Sequence, residues 1–135
     1  MKLFLDSSVL LAASGSATGA SRYLIEVAGE NNWLLTSSIY CLEETRKNLG
    51  KLGSEAEQCF ENTLLERIKF METKLIIDQP MIYPVAKDRP VITTAMYHSC
   101  DALLTLDRAD FQSLLGNQFY GMWILTPGDW LRMHH

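Results

Sequence analysis

Five short apolar runs set the tightest limit on what this chain can fold into: 2–5 (KLFL), 33–36 (WLLT), 75–77 (LII), 102–106 (ALLTL) and 122–125 (MWIL). Most are nearly continuous in apolar residues rather than alternating. A strand wetted on one face alternates, whereas a strand covered on both faces does not have to. The runs therefore predict a parallel sheet with helices on either side. Helical patterns fill the gaps. Phe60, Leu64, Ile68, Met71 and Leu75 recur at steps of three and four and predict one long amphipathic helix over 54–74. Ser54 with Glu57 reads as its capping box, just after the chain-breaking Gly50 and Gly53. Further helices are predicted over 21–28, 38–49 and 88–99, the last with Asp88 as N-cap and Pro90 in its first turn. Strand and helix in alternation predict an α/β chain, a three-layer α/β/α sandwich around a central, mostly parallel five-stranded sheet.

At 135 residues the chain is the length of one domain, taken as 1–132. Met133, His134 and His135 read as the remnant of a purification tag and are set aside from site reasoning. With 47% hydrophobic and 21% charged residues, disorder is excluded. The net charge of −4 is the wrong sign for a protein that holds nucleic acid by phosphate contacts alone. Either the partner is not nucleic acid, or the acids are concentrated where a metal neutralises them. Cys41, Cys59 and Cys100 are odd in number and scattered, which argues against a disulfide framework or zinc knuckle and for reduced thiols in the cytoplasm. The opening MKLFLDSSVLLAAS imitates a signal peptide, but Asp6 interrupts it, and no apolar stretch reaches the ~18 residues of a membrane span.

Ligands of open parallel sheets gather at the carboxyl ends of the strands. Asp6 ends the first predicted strand and Asp107 the fourth, so both fall on that edge. Asp88 opens the helix leading into the fourth strand, and Glu44 lies on the helix after the second. Carboxylates at ~4 Å repel by about 4 kcal/mol per pair at an effective dielectric of ~20. A divalent cation removes that cost. Oxygen ligands without His or Cys favour Mg²⁺ or Mn²⁺, and such a site polarises a phosphodiester and activates water for in-line attack. Each acid also has an ordinary explanation. Asp6 before Ser7 and Ser8, or Asp88 alone, would serve as a helix cap, and Glu43 and Glu44 as an exposed helix face.

The ordered motifs resemble those of the PIN domain family, nucleases that include toxin components of bacterial toxin–antitoxin pairs. Phe4-Leu5-Asp6-Ser7-Ser8-Val9-Leu10 is similar to the family's opening strand and Asp. Leu42-Glu43-Glu44-Thr45-Arg46-Lys47-Asn48-Leu49 is similar to its Glu-bearing helix, and Lys87-Asp88-Arg89-Pro90 to the Asp that opens the penultimate helix. Thr105-Leu106-Asp107-Arg108-Ala109-Asp110-Phe111 resembles the most specific block, and Thr126-Pro127-Gly128-Asp129-Trp130 the closing turn of one subgroup. The resemblance runs over nearly the whole chain. It implies a sheet ordered 3-2-1-4-5 and a metal-dependent ribonuclease that hydrolyses single-stranded RNA. Asp6, Glu44, Asp88 and Asp107 match the catalytic and metal-binding quartet, and Asp110 a supplementary acid. Thr105 matches the hydroxyl near the metal. Ser7, Arg89 and Arg108 join it as candidate substrate contacts. An antitoxin protein and a second copy of the chain are the implied protein partners. Ser8 and Leu106 depart from the Asn and Gly frequent at those places.

Among the other residues, His98 near a helix end fits a dipole or capping role better than a general base. Trp33, Trp123 and Trp130 read as packing aromatics, and Arg22, Arg46 and Lys47 as further cations that could meet phosphate. Two other functions compete: a non-catalytic PIN-like module that holds RNA or protein, and a flavodoxin-like or response-regulator domain, which would also carry acids at strand ends.

Overall fold

The computed structural model of the chain describes residues 1–78, 80–83 and 89–134. Its strands are β1 (Lys2–Leu5), β2 (Leu34–Ser38), β3 (Lys69–Met71), β4 (Ala102–Leu104), β5 (Asn117–Phe119) and β6 (Met122–Leu125). Its helices are α1 (Ser7–Gly15), α2 (Ala20–Val27), α3 (Ile39–Leu49), α4 (Ser54–Cys59), α5 (Arg89–Tyr97), α6 (Arg108–Phe111) and α7 (Pro127–Met133). The six strands lie in the order β3-β2-β1-β4-β6-β5. All pairs are parallel except β5–β6. The five parallel strands thus follow the expected 3-2-1-4-5 order, and one antiparallel edge strand is added.

Each central strand sends alternate residues into opposite layers. Leu3 and Leu5 of β1 and Ala102 and Leu104 of β4 enter one core, with Val9 and Leu10 of α1, Leu24 of α2 and Trp130 of α7. Phe4 and Leu103 enter the other, with Ile92 of α5 and Phe111 of α6. Both layers are dry, which is why the sequence of these strands does not alternate. A cavity cut here, such as Leu104→Ala, costs about 2–5 kcal/mol.

Helix α3 is anchored in both layers, through Cys41 in the second and Leu49 in the first. Its inward stripe is Cys41, Thr45 and Leu49, all buried. Ser38 caps it by accepting the Cys41 N–H at 3.1 Å.

Three expectations are corrected. The helix expected over 54–74 stops at Arg67 after a π turn (Phe60–Leu64) and a 3₁₀ turn (Leu65–Arg67), and the backbone becomes extended at Ile68. The third strand is β3, not 75–77. Phe70 packs against the first core and Met71 enters the second, so this stretch crosses the sheet with period two. Leu75 and Ile76 are exposed instead. Ser54 is not a cap: Gly53 holds that place at φ 103°, with no side-chain capping bond. At the other end, His134 stacks on Trp130 with ring centroids 3.7 Å apart. Among the described residues no helix is long and apolar enough to cross a membrane.

Candidate active site

β1 delivers Asp6 to the carboxyl edge of the sheet, one residue before α1. Its backbone carbonyl starts the helix by accepting the N–H groups of Val9 and Leu10. Its side chain makes no capping bond, although it occupies the N-cap place. The carboxylate turns instead toward the end of β4. Oδ2 accepts Thr105 Oγ1 at 2.8 Å and Ser8 Oγ at 2.8 Å. Those hydroxyls are themselves fixed, because the Leu106 N–H donates to Ser8 Oγ at 3.0 Å and the Asp107 N–H to Thr105 Oγ1 at 3.1 Å. Backbone N–H groups donate to the hydroxyls and the hydroxyls to the carboxylate, so the loop after β4 helps determine where Asp6 points.

Asp6 is only 7% exposed. Burial pushes its carboxyl above the ordinary 3.8; the Thr105 and Ser8 hydroxyls pull against this, and the charge of Asp107 adds to it. The same negative field reaches two neighbours. Burial, and after it Asp6, drives the Cys41 thiol up to about 11. Burial followed by the charge of Glu44, with Asp6 contributing last, raises the Tyr40 phenol.

A cavity of about 430 Å³ opens over these groups. Asp6, Ser7 and Ser8 line it from the end of β1 and the start of α1, and Asp107 and Asp110 from the segment after β4. Glu44 reaches it from α3, where its Oε2 accepts Ser7 Oγ at 3.4 Å. Glu43 is exposed and outside it. Asp107 has a second duty as N-cap of α6, its Oδ1 accepting the Asp110 N–H at 3.0 Å. Among the described residues no lysine or arginine lines the cavity.

The donors facing the cavity are carboxylate and hydroxyl oxygens, which fits a hard divalent cation. Among the described residues, however, no three His, Cys, Asp or Glu side chains are gathered into a group that could hold a metal ion. Asp88, expected as the fourth acid, lies outside the described residues.

Other candidates fall elsewhere. Thr105 is wholly buried, so it touches Asp6 and not the cavity. Arg89 lies over the Tyr83 ring at 5.1 Å, and Arg108 lines a separate surface groove with Ala109 and Gln112. Arg46 pairs with Glu61 at 2.8 Å, and Arg22 donates to the Ala13 and Ser14 carbonyls at the end of α1. His98 stands against the Glu72 carbonyl, away from the acids. Trp33 and Trp130 pack edge to face. The sequence reading missed Tyr40 and Asn48, which line the cavity beside Glu44. Their signal was available: they sit four residues before and four after it, on one helix face.

Comparison with known proteins bears on the fold. No family model matches the sequence, and no curated protein is similar to it. Among solved structures, a chain of VapBC2 from Rickettsia felis, crystallised bound to a DNA fragment from its promoter, superimposes with a TM-score of 0.62. The match covers 92% of this chain and 97% of that one. The likeness is one of fold. At 14% identity it concerns the path of the backbone.

Proposed function

We propose that this chain is a PIN-type, metal-dependent endoribonuclease that hydrolyses single-stranded RNA in the cytoplasm as the toxin of a toxin–antitoxin pair. One observation carries the reading: acids from three separate elements, Asp6, Glu44 and Asp107, open on one cavity that no described cation lines. A buried carboxylate with no described cation beside it costs stability, and such costs concentrate where chemistry is done. The fold shared with VapBC2 supports the toxin–antitoxin part.

In this reading Asp6, Glu44, Asp88 and Asp107 hold Mg²⁺ or Mn²⁺, with Asp110 in support. The ion, when bound, supplies Lewis-acid polarisation of the phosphodiester and charge to offset the leaving oxygen. The chain does the rest. Thr105 and Ser8 fix Asp6, the cap bond to the Asp110 N–H fixes Asp107, and Ser7 steadies Glu44. A carboxylate orients and deprotonates the attacking water.

The test is cleavage of single-stranded RNA with end-group analysis. Activity that needs Mg²⁺ or Mn²⁺, stops with EDTA and leaves 5′-phosphate ends is expected. A ribonuclease using the RNA 2′-hydroxyl needs an acid–base couple, usually histidine. This chain has three His, two of them in the terminal pair. EDTA-resistant cleavage giving 2′,3′-cyclic phosphate would eliminate the carboxylate mechanism. The ungathered state of the described acids favours a second reading, a non-catalytic PIN-like binding module. RNA binding without cleavage under any divalent metal would establish that one.

A further inference from the structure

The wall that α3 gives the cavity carries more than the glutamate. Tyr40, Glu44 and Asn48 recur every four residues, and all three line the cavity. Each step is about 6 Å of helix rise. The stripe next to it, Cys41, Thr45 and Leu49, is the buried one. Tyr40 and Asn48 lie outside both cores.

Asn48 is already engaged. Its Nδ2 donates to the Glu44 carbonyl at 2.8 Å, and its Oδ1 accepts Lys51 Nζ at 3.1 Å. Tyr40 differs. Its side chain is 38% exposed, whereas Phe111, the other aromatic lining residue, is 2% exposed. Among the described residues Tyr40 thus presents the cavity's one open ring. Its base is fixed twice, by Thr73 Oγ1 accepting the Tyr40 N–H at 2.9 Å and by the Ser38 cap one residue on. The phenol is neutral at neutral pH, as for any tyrosine. Its O–H can donate to a phosphate oxygen, and Tyr40→Phe removes that donor; what the variant keeps is the exposed ring face. That face offers a stacking surface to a base, and stacking tolerates any sequence.

Building on the nuclease reading above, we propose that Tyr40 is the platform on which the nucleobase beside the cut phosphodiester stacks. It is a positioning residue. It sets which bond of the strand lies over Asp6, Glu44 and Asp107.

The probe is a single-stranded RNA of about ten nucleotides carrying 2-aminopurine at one position at a time, bound to the full chain with Ca²⁺ in place of Mg²⁺ or Mn²⁺, so that the acids are neutralised and nothing is cut. Wild type and Tyr40→Phe are expected to quench one position strongly. Tyr40→Ala should lose that quench and bind about tenfold more weakly, the scale of one lost stacking contact. With Mn²⁺, Tyr40→Ala should raise KM about tenfold and change kcat less, and Tyr40→Phe should restore it. If Tyr40→Ala does not fold, wild type answers alone: an abasic site at the quenched position should weaken binding about tenfold as well. Equal quench and equal Kd for wild type and Tyr40→Ala, or no position quenched by wild type, would overturn the platform. Wild type that quenches one position yet never cuts would keep the platform and remove the nuclease. Wild type that cuts, with Tyr40→Ala indistinguishable from it, would do the reverse.

Discussion

At the amino ends of β1 and β4, Asp101 is exposed and accepts the Lys2 N–H at 2.7 Å, while its own backbone exchanges bonds with Lys2 and Trp123. Lys2 Nζ reaches the His98 carbonyl nearby. At the carboxyl ends of the same two strands, Asp6 is buried at the floor of the cavity and receives the Thr105 and Ser8 hydroxyls. Both aspartates bind β1 to β4. Asp101 does so in water, against a backbone donor, and laces three strands together. Asp6 does so under burial, with a second carboxylate raising its energy. Two residues of one chemistry, about one strand length apart, thus divide the work of holding the fold from that of holding charge at a site.

Activity should separate the two ends most. Asp6→Asn and Asp107→Asn are expected to lower the rate of RNA cleavage by about 10²–10⁴, and Asp101→Asn to leave it within about twofold of wild type. Comparable losses at both ends would dissolve the contrast. Next comes metal. At a concentration of Mn²⁺ about 100 times its Kd, the native state gains about 2.7 kcal/mol. The melting temperature of wild type and of Asp101→Asn should therefore rise together, and that of Asp6→Asn should not. An unchanged wild-type curve at millimolar Mn²⁺ would count against the site altogether.

A smaller effect locates the helix register. Neighbouring helix residues point about 100° apart, so Glu44→Gln should slow cleavage about tenfold or more and Glu43→Gln hardly at all. The opposite ranking would move the site by one residue.

Smaller still is the pH response of the metal-free protein. The folded carboxyl of Asp6 lies above its unfolded value of 3.8. Its contribution to stability is therefore complete below about 3.8 and is lost as pH rises through the folded value. Asp6→Asn, measured in EDTA, should be more stabilising at pH 7 than near pH 3.5. A constant gain at both pH values would mean that the charge is not the cause. The least effect belongs to Asp101→Ala, an exposed bond worth about 1 kcal/mol or less. It should lower the melting temperature slightly and leave the Mn²⁺ response intact.

β1, β4 and β6 were legible because they are covered on both faces, and such cover writes itself as a continuous apolar run; β2 was legible only in its first half, since Thr36, Ser37 and Ser38 are buried polar residues. Asp6 and Asp107 were legible for the same reason: where such a run stops, the ligand edge begins. β3 was hidden because Phe60, Leu64, Ile68 and Met71 keep helical spacing across the point where the helix ends. Only the assignment of Phe70 and Met71 to opposite cores separates helix from strand. β5 was hidden because an edge strand needs one inward residue, Phe119, with Asn117 and Gln118 left outside. Its turn, Tyr120-Gly121, has positive φ at both residues without the Asn-Gly signature that would have announced a two-residue hairpin. Tyr40 and Asn48 were passed over because the helix was read for its acid and not for the face that bears it.

On α3, what the cavity touches and what the core touches are written one residue out of phase, 40-44-48 against 41-45-49. A point substitution there alters the ligand or the packing, and seldom both. The lining of the cavity can therefore change at position 40 with less disturbance to the core than at 41, 45 or 49. A library randomised at position 40 should keep more members folded than one randomised at 41, 45 or 49, while its members differ in what they recognise.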